Sequence, residues 1–298
     1  MKYPKTMFNI GFRAHDFGSF DSASELAKVV SEVQSPSVIQ LALNKVIPSA
    51  KKWTEWDDEY ISSIRDALAK EDVSVAVIGC YINPVHPCED ERKNQLSRFK
   101  RSLELNKAFG CKVVGTETGS WTPKITYNPE TYEEHVFATL LSSIDFMLNE
   151  AIKNDAICAI EPVAFPHTMC TVERTLRVLN NFQDEHLQLI FDPINLVPRL
   201  GIAEKDGAYR AIPSEEAQLK YITTCLDAFE SRLCAIHCKD YVLTEDGHKK
   251  GDLPVTTGIF RWDLFFKELR KRNINVPILL ENHNPKTLKE TLATLNKF

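Results

Sequence analysis

The chain has 298 residues, 43% of them hydrophobic, so it can bury a sizeable core and lies near the ~250 residues of one (β/α)8 barrel. Its net charge of −5 supplies no basic field for a polyanion, which argues against a nucleic-acid partner. No apolar run approaches the ~20 residues that span a bilayer, and the opening MKYPKTMFNIGF lacks the long apolar stretch of a signal peptide. A cytoplasmic protein with no membrane partner is therefore expected. The eight cysteines include no CxxC pair, and Cys80, Cys111, Cys158 and Cys234 lie inside apolar runs, as reduced, buried thiols of a cytosolic protein would.

In chain order, TMFNIGF (Thr6 to Phe12) reads as a first strand, and Asp21 or Ser22 caps a helix running to about Val33. SVIQLAL (Ser37 to Leu43) is a second strand, and residues 56–69 repeat apolar side chains at helical spacing. VSVAVIGCY (Val73 to Tyr81) is an almost wholly apolar strand, followed by the loop NPVHP. A helix from about Glu91 to Phe109 ends at Gly110, as a C-cap glycine would end it. CKVVGTETG supplies strand four, Thr131 to Lys153 a long amphipathic helix, and the stretch DAICAIEPVAFPH (Asp155 to His167) strand five, an apolar run with a single acid at its end and then a proline-bounded turn. Thr171 to Phe182 reads as helix, LQLIFD as strand six and residues 193–211 as irregular. Ser214 then starts a helix to Phe229, with SEE as its cap and acidic first turn. LCAIHCKD is strand seven, residues 243–257 a polar loop, Ile259 to Arg272 a helix, PILLE strand eight and Pro285 to Asn296 the closing helix. Eight strand–helix alternations, with strands apolar along their length, predict a parallel sheet closed into a single (β/α)8 TIM barrel over residues 1–298, with no second domain.

Four of these strands end in a polar side chain at the mouth of the core: Glu161 in CAIEP, Asp192 in LIFDP, His237 in CAIHC and Glu281 in ILLEN. One such acid would ordinarily cap a helix or pair with a cation. Four at the ends of strands five to eight share one rim of a barrel, where residues distant in sequence meet. Three carboxylates supply hard oxygen donors and the imidazole one nitrogen, a set suited to a divalent metal, Mn²⁺ foremost, with Mg²⁺, Co²⁺ or Zn²⁺ as alternatives.

These segments carry a resemblance. NPVHP after strand three, VVGTETGS at strand four, IEP, FDPIN, IHCKD and LLENH resemble the xylose isomerase-like TIM-barrel family of sugar isomerases and epimerases. The resemblance implies Glu161, Asp192, His237 and Glu281 as metal ligands and Glu161 and Glu281 as the catalytic acid–base pair, one on each face of the sugar. It further implies proton transfer through a metal-held enediolate: return of the proton to the opposite face of the same carbon epimerises, and return to the neighbouring carbon isomerises. The partner implied is a small sugar or polyol, and barrels of this family also form homo-oligomers through their outer helices. Substrate contacts are expected from His86 in NPVHP, Glu117 in TETG, His167 six residues after Glu161, Asn195 three after Asp192, and Lys239, which shares a strand face with His237. Trp121, Trp262 and Phe12 are candidate apolar walls, His15 is a weaker polar candidate, and the glycine-containing loop before Trp262 has the composition of a lid.

The chain departs from the family pattern at Ala235, where some relatives carry a further histidine, and in YVLTEDG, which lacks the arginine of several ketose epimerases. An inosose-type dehydratase, a lyase on the same scaffold, would use the same metal but expel water. An AP-endonuclease-like phosphodiesterase needs more histidines than the chain offers near these strand ends, and a more basic surface. A barrel that binds a ligand without turning it over is a fourth reading.

Overall fold

The computed structural model describes residues 8–298. Thr6 and Met7 of the expected first strand lie outside them; the strand itself, β1, is Ile10–Arg13. The chain continues through α1 Ala23–Val33, β2 Ser37–Leu41, α2 Leu43–Val46, α3 Asp58–Ala69, β3 Val73–Gly79, α4 Glu89–Glu104, α5 Asn106–Phe109 and β4 Val113–Glu117. It goes on with α6 Glu134–Lys153, β5 Ile157–Glu161, α7 Val172–Asn181, β6 Leu187–Phe191, α8 Glu215–Phe229 and β7 Leu233–Cys238. The last elements are β8 Asp240–Leu243, β9 Lys249–Leu253, α9 Trp262–Lys271, β10 Ile278–Leu280 and α10 Leu288–Leu295.

Eight strands close into one parallel barrel in the order β1-β10-β7-β6-β5-β4-β3-β2, with β2 returning to β1. The barrel expectation is met, and the cap signals that delimit its helices are satisfied in space. Ser22, Asp57, Thr171 and Ser214 each accept a hydrogen bond from a first-turn backbone N–H of α1, α3, α7 and α8. Gly110 ends α5 at φ +69°, a conformation that glycine adopts without a Cβ penalty.

Two expectations need correction. The helix foreseen from Glu91 to Phe109 begins at Glu89 and is broken at Leu105 into α4 and α5. The polar loop foreseen over residues 243–257 is largely an antiparallel hairpin, β8–β9, in which Val242 faces Lys250 and Leu243 faces Lys249. Its turn closes through Thr244 N–H to the His248 carbonyl at 2.9 Å, with Gly247 at φ +76°.

Outer strand faces pack against the helices, and inner faces fill the barrel. Val77, Ala159, Ile190, Ala235 and Leu279 form one buried interior cluster. A Cβ at Gly115 would lie 2.5 Å from Ile190 Cδ1, so the missing side chain on β4 makes room for the large one on β6. Ala235, noted above as a departure, is part of this interior packing.

Candidate active site

Successive strand residues point to opposite faces. The interior cluster therefore fixes what lies one step further toward the strand C-termini: Glu161 follows Ala159 by two residues, Asp192 follows Ile190, His237 follows Ala235 and Glu281 follows Leu279. The same period puts Glu117 above Gly115, Gln40 above Val38 and Arg13 above Gly11. A packed apolar layer is thus roofed by a polar one at the end where the strands open into loops.

The roof is tightly connected. His237 Nδ1 lies 3.1 Å from Glu161 Oε1 and 3.5 Å from Glu281 Oε1, and its Nε2 lies 2.5 Å from Gln40 Oε1. Asn195 Nδ2 donates to Glu161 Oε1 at 3.0 Å. Asp192 is wholly buried; its Oδ1 accepts from the backbone N–H of Ile194 at 2.8 Å, which turns Oδ2 toward the Lys239 ammonium at 3.1 Å. That ammonium also lies 3.3 Å from Glu281 Oε2 and 3.1 Å from Asp252 Oδ1 on β9. Arg13 donates through Nη1 to Glu281 Oε1, and its guanidinium also pairs with Asp16 at 2.8 Å.

Glu161, Asp192, Asn195, His237, Lys239 and Glu281 therefore meet at one place. Glu117 and His167 form a second group beside it. Gly119 N–H donates to His167 Nδ1 at 3.0 Å, so in the neutral ring the proton sits on Nε2, which lies 3.7 Å from Glu117 Oε2. His86 is linked to neither group: its Nδ1 accepts from Cys88 N–H at 3.2 Å, at the start of α4. Trp262 packs among Phe260, Phe265 and Phe266 in the outer core, and Phe12 packs against Phe17 and His283. His15 stands edge-on to Tyr81, and Trp121 edge-on to His135.

Arg13 and Gln40 were not singled out from the sequence. Arg13 closes the run IGF as the acids close theirs, and Gln40 is the one polar side chain within VIQLAL. Both cues were present in weaker form.

Burial and crowding of like charges set the ionisation of the roof. Burial, reinforced by Glu161, pushes the Glu117 carboxyl up to about 7. Burial pushes Asp192 up to about 6 against the pull of Lys239. Glu281 goes the other way: Lys239, His237 and Arg13 overcome burial and hold it well below the usual carboxylate range. His237 is raised to about 9, because Glu161 and Glu281 outweigh the cost of burying its charge. His167 falls to about 4, through burial and the positive charge of Lys239.

The donor set fits a divalent cation. Glu161, His237 and Glu281 each present a ligand atom within 4.8 Å of the others. Asp192 Oδ2 and Glu281 Oε2 are buried with only the Lys239 ammonium against them, at 3.1 and 3.3 Å, so a cation that displaced it would find both oxygens without another partner. Nitrogen and carboxylate oxygen together suit Mg²⁺, Mn²⁺, Co²⁺ or Zn²⁺. No helix of the described residues is long and apolar enough to cross a membrane.

No curated protein is significantly similar in sequence. Solved structures are similar in fold. A xylose isomerase-like TIM barrel protein from Mycobacterium smegmatis in complex with magnesium superposes with TM-score 0.70 at 14% identity, covering 98% of this chain and 96% of that one. The apo form of 3-keto-D-glucoside 4-epimerase from E. coli superposes with TM-score 0.69 at 16% identity, over 98% and 100%. D-psicose 3-epimerase with D-tagatose, from Clostridium cellulolyticum H10, superposes with TM-score 0.64 at 12% identity, over 92% and 84%. At these identities the likeness is one of architecture. The family profile described as xylose isomerase-like TIM barrel matches residues 37–298, so the chain belongs to that family.

Proposed function

We propose that the chain, acting as one domain, is a divalent-metal-dependent isomerase or epimerase of a small sugar or polyol. The observation that carries this reading is the convergence of Glu161, His237 and Glu281 within one ligand sphere, with Asp192 joined to it through Lys239. Glu161, Asp192, His237 and Glu281 would hold the cation. When bound, it would polarise a ketone oxygen and the neighbouring hydroxyl, acidifying the hydrogen on the carbon that bears that hydroxyl.

The chain's own groups divide the remaining work. Arg13 and Lys239 keep Glu281 ionised, the state required of a proton acceptor. Asn195 fixes the Glu161 carboxylate from the β6 side, so the two acids are held separately. One takes the proton and the other returns it, on the opposite face or at the adjacent carbon. His167 offers Nε2–H and Glu117 a carboxyl that is part protonated near neutrality; both are suited to bind substrate hydroxyls. Fold similarity to epimerases from E. coli and Clostridium cellulolyticum H10 supports the reaction class. The test is incubation of ketoses in D₂O with the Mn²⁺-loaded and the chelator-stripped protein, followed by NMR. Deuterium should enter at a carbon next to the carbonyl only with metal present. Exchange that survives chelation would remove the metal from the mechanism, and formation of a dione with loss of water would reassign the chain to the lyases.

A further inference from the structure

We infer that Gln40 is a positioning residue that determines which ring nitrogen His237 offers to a divalent cation. This rests on the metal-site reading above. Gln40 lies on β2, across the barrel from β7, and both side chains are buried. Its Oε1 is 2.5 Å from His237 Nε2. A carboxamide oxygen only accepts, so the hydrogen must sit on Nε2. In this orientation Gln40 Nε2 donates to the Tyr81 hydroxyl at 2.9 Å; a reversed amide would accept from that hydroxyl and donate to His237 Nε2, sending the ring hydrogen to Nδ1, and the ring-nitrogen readout below separates the two. With Nε2–H committed to Gln40, the nitrogen that gives up its hydrogen to a cation is Nδ1, the one that faces Glu161 Oε1 and Glu281 Oε1. A hydrogen bond to the distal nitrogen of a ligand histidine fixes its tautomer and ring orientation and raises its donor strength. Tyr81, Gln40 and His237 thus form a hydrogen-bonded relay from the β3 rim to the ligand sphere.

The experiment uses Zn²⁺, which is diamagnetic, on the full-length protein. Zn²⁺ affinity is measured by competition with a chromophoric chelator for wild type, Gln40→Met and Gln40→Glu, and the His237 ring nitrogens of the loaded wild type are read by ¹⁵N NMR. Wild type should show Nε2 protonated and Nδ1 bound. Gln40→Met keeps the volume but loses the acceptor, and should weaken Zn²⁺ binding roughly 10–100-fold. Gln40→Glu keeps an acceptor and should stay near wild type. Tyr81→Phe, which frees the amide to turn, should lose several-fold, and substitutes as the test if Gln40→Met does not fold. Zn²⁺ bound through Nε2, or a Gln40→Met affinity within twofold of wild type, overturns the inference while leaving the metal site standing. A wild type that takes up no Zn²⁺ removes both.

Discussion

Lys239 puts an ammonium where two of the proposed ligands would otherwise repel each other. It lies 3.1 Å from Asp192 Oδ2 and 3.3 Å from Glu281 Oε2, so it neutralises them without a metal and competes with one for the same oxygens. Unit charges about 4 Å apart interact by roughly 4 kcal/mol at an effective dielectric near 20, enough to matter in a cation equilibrium. Lys239→Met should therefore bind Mn²⁺ at least tenfold more tightly in calorimetric titration, while its metal-free form melts lower; unchanged or weaker binding would make the ammonium a bystander. Glu161→Gln and Glu281→Gln should each cut turnover by about 10²–10⁴-fold with the circular dichroism spectrum intact, and full activity in either would take that residue out of the proton transfer. The acids at 161, 192 and 281 were legible because each ends an apolar run long enough to register as a buried strand. Arg13 was less so because a basic residue at a strand end is not itself a metal ligand, and Gln40 because a single polar residue inside a strand does not show which side chain it will meet across a closed barrel.

Among the elements, the β8–β9 hairpin is the least legible from sequence and bears directly on the site. Lys249 Nζ donates to the carbonyls of Ile194, Asn195 and Val197 at 2.9, 3.3 and 2.7 Å. These follow Asp192 directly, so the hairpin clamps the loop that carries one proposed ligand and the Asn195 amide. Asp252 reaches from the same hairpin to Lys239. The Asp246–Gly247 turn signal was present, but KKGDL shows no apolar alternation, and a register shift between Asp240 and Val242 breaks the pairing pattern. Lys249→Met leaves three carbonyls to find other donors. Amides of residues 194–200 should exchange faster with D₂O than in wild type, and stability should drop by about 1–3 kcal/mol. Unchanged exchange there would mean that the loop holds itself. Asp240, the last residue of IHCKD, faces away from the ligand cluster and accepts from Tyr241 and Phe260 N–H at 2.9 and 3.1 Å. A Cβ at Gly258 would lie 2.2 Å from the Tyr241 carbonyl oxygen, so that glycine is fixed by close approach of the backbone; its composition had suggested only a lid.

For the whole molecule, eight strands apolar along their length, each followed by a helix, made the barrel readable, since closure follows from eight βα units without any single contact having to be foreseen. Charge placement was less readable, because it depends on which inward positions meet across the lumen, and it governs how stability responds to pH. His167 is held neutral, its folded value near 4 against ~6.5 unfolded. Between those values the unfolded chain binds a proton that the folded chain refuses, so the His167 contribution is complete above pH 6.5 and is lost as pH falls toward 4, by roughly 3 kcal/mol. Glu117 and Asp192 oppose it, since their folded values are raised and their protonation on acidification favours the folded state over an overlapping range. A plain stability–pH curve would blend these contributions. The difference between wild type and His167→Gln isolates one of them, because glutamine cannot take the proton. In denaturant titrations of the metal-free protein, the stability of wild type relative to His167→Gln should decline steadily from pH 6.5 to 4 and stay flat above 7. A difference that does not change with pH would mean that the imidazole titrates alike in the folded and unfolded chain, and that the neutral Nε2–H donor assigned to it at the mouth of the barrel is not enforced by the fold.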